Sequence, residues 1–290
     1  MNSKVFKVTR FTYNQILTSK WYLISTIVGL IGIIASLNLN NIYKSFLGED
    51  AGEVQIAMAQ DDLRGTIPLI VVVVLFMLIL IYGANIANSV IEEKSSRIIE
   101  TLLCYVKPLE LLSGKIFGYM IAVVQQLAFW GVIRVVGSLF IKQPESGIKL
   151  SDYISGPAMI LIVASIVLGF MMYAYAFAAL SSYTDNSQDT TQLVLPVILM
   201  MLIVYFVGMA QLRGLSSPAL TVITYLPFAL PILGLTINDL QTITLGTSLI
   251  IVGIQVAEVI LVSIMCSKIY RRGVVSYGIK KRKLWKARTE

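Results

Sequence analysis

The sequence holds no histidine, two cysteines and few charges: only 13% of its 290 residues are Asp, Glu, Lys or Arg. A soluble domain carries about 25%. The missing histidine excludes His-based acid–base catalysis and His-ligated metal centres. Cys104 and Cys266 lie far apart and form no CxxC pair, so they read as packing residues. No segment matches GxxxxGK[ST]. The nearest fragment, Gly114-Lys115, lacks the upstream glycine and is followed by Ile116, so it cannot cradle a nucleotide phosphate. The chain is expected to carry no bond-breaking chemistry, metal or cofactor of its own.

Apolar residues are plentiful instead. They make up 57% of the sequence, with a mean hydropathy of +0.80, and they fall in long runs. About 20 apolar residues span a bilayer. The runs predict an all-α integral membrane protein with six transmembrane helices: Trp21 to Leu39, Thr66 to Ile91, Leu111 to Ile141, Pro157 to Ser181, Leu193 to Gln211 and Ile243 to Ser267. The third run is longer than a bilayer core, which puts its first turns in the interface. Between the fifth and sixth runs, residues 212–240 are apolar but interrupted by Pro218, Pro227 and Pro231. Proline breaks helices, so this stretch is expected to be a re-entrant helical hairpin dipping into the outer leaflet.

Positive charge sets the orientation. With the N-terminus inside, seventeen Lys and Arg fall on inner segments and five on outer loops. Nine of the seventeen lie in the basic tail, residues 268–290, which contains KKRKLWKAR. Both termini are therefore expected in the cytoplasm. The tail reads as a partner for anionic lipid heads and not for nucleic acid. No apolar run precedes Trp21, so no cleavable signal peptide is expected. Residues 1–20 are amphipathic and basic. Val5, Val8 and Thr12 share one face, and Phe6, Thr9 and Tyr13 another, as in a helix lying on the inner surface.

One inner loop stands out: IEEKSSRIIETLLCYVKPLELLSGKIFG. Ile91, Ile98, Ile99, Leu102, Leu103 and Val106 fall on one side of a helix, with Glu92, Glu93, Lys94, Arg97 and Glu100 largely elsewhere. Glu93 and Arg97 form an i,i+4 pair, and Pro108 ends the helix. Gly114 and Gly118 form a GxxxG step suited to close helix contact. A charged amphipathic helix over residues 92–107 is too short and too polar to span a bilayer. Lying flat, it would offer a rigid charged face to a soluble partner.

The string EEKSSRIIETLLCYVKPLELLSGKIFG resembles the cytoplasmic signature of type-2 ABC (ABC-2) exporter permeases, closest to the sodium-efflux branch. SKIYRRGVVSYGIK and YLPFALPILGL resemble the tail and the Pro-Phe…Pro segment of the same proteins. The resemblance implies a single transmembrane domain over residues 1–290 in the plasma membrane of a bacterium. It also implies a second permease subunit, identical or related, and two copies of an ABC ATP-binding subunit holding ATP and Mg. The coupling helix would sit in a groove of that ATPase, with Glu92, Glu93, Lys94, Arg97, Glu100, Lys107 and Pro108 as coupling residues. The sodium-efflux branch carries a large external domain between the first two spans. Here that stretch, Asn40 to Gly65, is short and acidic, with Glu49, Asp50, Glu53, Asp61 and Asp62, so the branch's substrate does not carry over.

Arg134 in the third run and Glu258 in the sixth are ionisable groups at membrane depth, and such groups are functional candidates. They could pair, line a translocation path, or serve as a headgroup contact and a helix-contact hydrogen bond. Asn85 and Asn88, near the inner end of the second run, are expected to face another helix. The run AYAFAAL suits tight packing. Two other function classes stay open: an ion-coupled secondary transporter or channel working through Glu258, and a non-transporting immunity or sensor protein. Sodium, a peptide, a lipid and a drug are all compatible as substrates.

Overall fold

Small side chains decide which helix sits in the middle. The computed structural model describes residues 3–37, 49–96, 98–140, 154–184, 187–215, 217–238 and 240–275. These form ten helices: α1 (Ser3–Leu17), α2 (Lys20–Leu37), α3 (Glu49–Ser95), α4 (Ile98–Tyr105), α5 (Pro108–Phe140), α6 (Gly156–Ser181), α7 (Ser187–Leu212), α8 (Pro218–Thr224), α9 (Leu230–Thr236) and α10 (Leu245–Val275). Helix α6 carries AYAFAAL, and 72% of its most apolar window is buried, against 28–39% in α3, α5, α7 and α10. It is the hub, packed mainly on α10 and α3. Ala174, Ala176, Ala178 and Ala179 let neighbouring backbones close in, and Tyr173 and Phe177 fill the spaces between them.

Among the described residues, five helices are long and apolar enough to cross a membrane: Pro68–Ser95, Pro108–Gly137, Gly156–Ser181, Gln192–Leu212 and Leu245–Val274. Helix α2 has 18 residues and a shorter apolar stretch, Tyr22–Ile31. Leu23, Ile27, Val28 and Ile31 on α2 are exposed, as are Val132 and Val135 on α5, Ile203 and Phe206 on α7, and Ile260 and Met265 on α10. Contiguous exposed apolar faces of this extent are costly in water and normal in lipid.

The second run departs from its expected length. Helix α3 is 47 residues long and begins at Glu49, so the acidic stretch through Asp62 is helical and not an open loop. Its Ala, Glu, Gln and Met residues are strong helix formers, and Pro68 lies within the helix without ending it. Polarity marks where a span stops; it does not mark where a helix stops. Residues 40–48, Arg97, Lys142, Lys149, Asp185, Asp239 and the tail from 276 lie outside the described residues.

The proline-rich segment forms two seven-residue helices, α8 and α9, in place of a span. Ser217 caps α8 by accepting from the Leu220 amide at 3.3 Å, ahead of Pro218. The turn between the helices places Phe228 at φ 73°, a conformation that non-glycine residues rarely adopt. Tyr173 of the hub holds it there. Its hydroxyl donates to the Phe228 carbonyl at 2.8 Å, and the two rings meet edge to face at 5.3 Å.

Gln211, at the end of α7, ties the segment back on itself. Its amide donates to Thr224 at 3.2 Å, and its carbonyl accepts from Thr236 at 2.7 Å. Ser155, which caps α6, donates to the Leu240 carbonyl through both its amide and its hydroxyl, each at 3.0 Å. The segment therefore leaves and rejoins the bundle at one end, beside the start of α6. That is the hairpin end; the opposite end, where Ser95, Pro108 and Ser181 lie, is the loop-helix end.

Candidate functional site

At the loop-helix end the expected coupling helix is divided in two. Glu92, Glu93 and Lys94 belong to the last turns of α3, and the separate helix α4 has only eight residues, Ile98–Tyr105. A helix unbroken over residues 92–107 is thereby corrected. The short helix is held on one side by Ile99, which is 1% exposed, with Leu102, Leu103 and Val106 packed against the core. Ile98, grouped with that side by periodicity, points outward instead and is 52% exposed. The break before α4 resets the helical phase, so a single helical wheel across 91–106 misassigns it.

The C-terminal end of α4 is pinned. Lys4 of α1 donates to the Tyr105 carbonyl at 2.8 Å, a cation on the carbonyl end of a helix. The Lys107 amide donates to the Glu110 carboxylate at 3.1 Å, and Pro108 occupies the first position of α5. This is half of a capping box with proline at N1. Lys107 and Pro108 thus form the hinge between two helices.

The charges expected to face a partner divide sharply. Glu93 ion-pairs with Lys115 of α5 at 2.7 Å, and Lys115 also donates to Ser89 at 2.9 Å. Lys94 is 2% exposed and donates to the Ser182 carbonyl at the end of α6, at 2.7 Å. Both are internal ties, and their reading as surface contacts is corrected. The long apolar helices force this: a charge that cannot reach solvent must find a partner. Glu92, Glu100 and Lys107 are exposed, beside Ile98, Cys104, Tyr105 and Leu109. The outward face of α4 is therefore a mixed apolar and aromatic surface with a few charges.

Helix α1 closes the same end. It lies along α5 with Val8 over Gly114 and Thr12 over Gly118; a Cβ at either glycine would meet those side chains at 2.7–2.8 Å. The GxxxG step is the seat of the N-terminal helix, and the shared face of Val5, Val8 and Thr12 is the one that docks. Phe6, Lys7, Arg10 and Phe11 face outward.

Arg134 and Glu258 are not brought together. Arg134 lies six residues before the end of α5, about 9 Å from the hairpin end, and Glu258 lies thirteen residues into α10, about 20 Å from that end. No ion pair joins them. Glu258 is 8% exposed, and one of its carboxylate oxygens is buried with no hydrogen-bond partner among the described residues. Gln255, one turn earlier, donates to Ser165 of α6 at 2.9 Å. Asn85 donates within its own helix to the Ile81 carbonyl, and Asn88 is exposed, so neither bridges to another helix as expected.

Sequence reasoning missed the functional weight of Lys115, Ser182 and Lys4. Only Lys115 carried a signal, as a lone cation inside an apolar run. Its partner Glu93 is 22 residues away, which no local pattern reveals.

Residues 32–265 match the family model described as "ABC-2 family transporter protein". The chain is 25% identical over 233 residues to the Bacillus subtilis (strain 168) protein YhaP, itself described as uncharacterised, covering 77% of this chain and 55% of that protein. It is 27% identical over 215 residues to the uncharacterised Methanocaldococcus jannaschii protein MJ1024, covering 73% of this chain and 50% of that protein. The chain spans about half the length of these curated relatives.

Proposed function

The chain belongs to the ABC-2 family of transporter proteins, and on that premise we propose that it is the membrane permease of an ATP-binding-cassette exporter, driven by a separate ATPase subunit. Two permease chains and two ATPases would form the working unit. Each permease contributes six spans, with α2 as the first. The excess of positive charge puts the loop-helix end in the cytoplasm. Helix α1 then lies on the inner membrane surface, with Phe6 and Phe11 toward the lipid and Lys7 and Arg10 at the headgroups. The hairpin α8–α9 dips into the outer leaflet. The three resembling segments favour the neighbourhood of the sodium-efflux branch, without its substrate.

The observation that carries this reading is the outward face of α4. A short helix, held at its C-terminal end by Lys4 and followed by a connector that Glu110 caps, exposes Ile98 and Tyr105, with Leu109 of α5 beside them. Aromatic and apolar anchors carry most of the energy of protein interfaces, and rim charges little. ATP-driven closure of the ATPases would push on α4. Because Glu93 and Lys94 lock the end of α3 to α5 and α6, the push would move those helices together. ATP and Mg would be held by the ATPase alone.

The test is assembly. Ile98→Glu with Tyr105→Ala should leave membrane insertion unchanged and cut co-purification with the ATPase at least tenfold. Undiminished co-purification, or unchanged ATP hydrolysis by the complex, would remove α4 as the coupling element. Topology is a separate expectation. Cysteines replacing Ser217 and Asp239 should both be labelled by an impermeant reagent from outside intact cells, because the segment enters and leaves at one end. Labelling from opposite sides would make the segment a true span.

A second reading rests on Glu258, whose unpartnered carboxylate oxygen inside the bundle suits a proton- or ion-coupled transporter. It requires no ATPase, so transport that persists when ATP is exhausted would favour it. Arg134 and Glu258 are candidate pathway groups under either reading.

A further inference from the structure

Helix α10 carries buried polar side chains down the face it turns to the hub: Ser248, Gln255 and Glu258, spaced at i, i+7 and i+10. That spacing keeps them on one side. Helix α6 packs along this face and runs in the same direction, with Gln255 against Ser165 in the first half and Gly273 against Ser182 at the end. Gln255 is fully buried. Its amide donates to Ser165 at 2.9 Å, and its nitrogen stands 4.0 Å from where a side chain on Gly234 of α9 would begin. Its carbonyl oxygen is buried and has no partner among the described residues. Glu258 follows three residues later, with a carboxylate oxygen in the same position. It sits about 20 Å from the hairpin end of a helix about 46 Å long, near mid-membrane. Side chains at i and i+3 leave the helix about 5–6 Å apart, within reach of one another for Gln and Glu.

Two acceptor oxygens cannot satisfy each other, because an ionised carboxylate has no hydrogen to give. One added proton changes that: a carboxyl O–H on Glu258 donates to the Gln255 carbonyl, and both buried oxygens gain a partner. Charge asks for the same proton. An unpaired carboxylate in an apolar bundle is costly, and the helices packed mainly on α10 supply no cation. Helices α6 and α9 contain no Asp, Glu, Lys or Arg. Of the α6 tyrosines, Tyr173 donates to Phe228, and Tyr175 lies nearer the loop-helix end. Helix α5 carries Glu110, Lys115, Tyr119 and Arg134. Lys115 is spent on Glu93, Tyr119 packs on Tyr82, and no ion pair joins Arg134 to Glu258 among the described residues. On α10 itself the next titratable groups, Cys266, Lys268, Tyr270, Arg271 and Arg272, begin about two turns away. Turning the Gln255 amide over would offer Glu258 an N–H, but the negative charge would remain without a cation.

We propose that Glu258 and Gln255 form a proton site at the junction of α6, α9 and α10, in which the Glu258 carboxyl holds a proton and donates it to the Gln255 carbonyl. The hydrogen bonds then run from Glu258 to Gln255 and from Gln255 to Ser165, so the bound proton ties α10 to the hub. Without it, a charge stands in the seam between the two helices and repels the Gln255 oxygen. The proposal deepens the ion-coupled reading by naming the proton as the ion, and rests on that reading for any role in transport; occupancy of the site does not depend on it.

The experiment is infrared spectroscopy near neutral pH on the full chain in maltoside micelles, whose detergent has no carbonyl group. The chain has 16 Asp and Glu, and the difference between the parent and Glu258→Gln isolates one of them. A protonated-carboxyl C=O band is expected in the parent, moving to lower frequency in deuterium oxide, and lost in Glu258→Gln. Gln255→Leu should keep the band and shift it to higher frequency, because the acceptor of the carboxyl hydrogen is gone. Glu258→Gln keeps the shape and neutrality of the protonated acid, so it should unfold in detergent at the parent's temperature. The difference between the parent and Glu258→Gln decides the proton even if Gln255→Leu fails to fold. Loss of ionised-carboxylate bands alone in Glu258→Gln would overturn the site, as would an unshifted band in Gln255→Leu. Transport tests the reading beneath it. A carboxyl band with transport indifferent to Glu258→Gln would leave the proton site standing without the coupling. No band, with transport that persists when ATP is exhausted, would leave the ion-coupled reading standing without this proton.

Discussion

Lys115→Met is expected to destabilise the protein by about 3 kcal/mol, more than any change on the exposed face of α4. The side chain of Lys115 is 3% exposed and that of its partner Glu93 is 20% exposed. Removing the cation strands the Glu93 carboxylate and leaves Ser89 without its donor. The residual exposure of Glu93 keeps the cost at the lower end of what breaking a buried pair entails. The double change Glu93→Leu with Lys115→Met should recover most of the loss, because an apolar pair of similar volume leaves no charge unbalanced. The measurement is the midpoint of denaturant-induced unfolding in detergent for the two single variants and the double. If Lys115→Met alone unfolds with the parent, Glu93 has found solvent and the pair is not a structural tie.

Gly273→Val should have an effect of similar size by a steric route. A Cβ built on Gly273 would stand 2.0 Å from the Ser182 hydroxyl oxygen and 2.9 Å from the Ser182 carbonyl carbon. The hydroxyl can rotate away, although it would give up its 2.7 Å hydrogen bond to the Ala179 carbonyl. The backbone carbon cannot. Ser182 closes the hub helix α6, and Lys94 donates to its carbonyl, so a shift of Ser182 disturbs α3, α6 and α10 together. Overpacking costs about 1–3 kcal/mol, and loss of the Lys94 contact adds to it. In the permease–ATPase complex proposed above, the variant should fold at reduced temperature yet lose coupling between ATP hydrolysis and transport, read as hydrolysis per substrate moved. A variant with parental unfolding temperature and coupling would show that Ser182 is not a shared junction.

The two effects mark where sequence reading stopped. Lys94, Glu93 and Lys115 were visible as charges, and the positive count used the two lysines for orientation. The direction in which each side chain points was not visible. On one helix, neighbours such as Glu92 and Glu93 lie 100° apart, so one reaches solvent and the other a cation on α5. Which does which depends on where α5 sits. The GxxxG step at Gly114 and Gly118 was legible as a place of close approach, because only glycine lets another helix come so near. That α1 is the helix received there required the structure.

The amino-acid sequence by itself determined that this chain is a membrane protein, roughly where each long apolar helix lies, that three prolines interrupt residues 212–240, and that no histidine is available for chemistry. Those are consequences of composition and local backbone preference, and they need no knowledge of neighbours. Only the tertiary structure decided that α3 begins at Glu49, that α4 is a separate short helix with Ile98 outward, that Glu93 and Lys94 are internal ties, that Arg134 and Glu258 stand apart, and that Tyr173 holds Phe228 in its turn. The physical reason is common to all of them. In an apolar bundle a polar group takes its partner from whichever helix is adjacent, and adjacency is set by packing around α6, across sequence separations of 22 residues for Glu93 and Lys115 and 88 for Lys94 and Ser182.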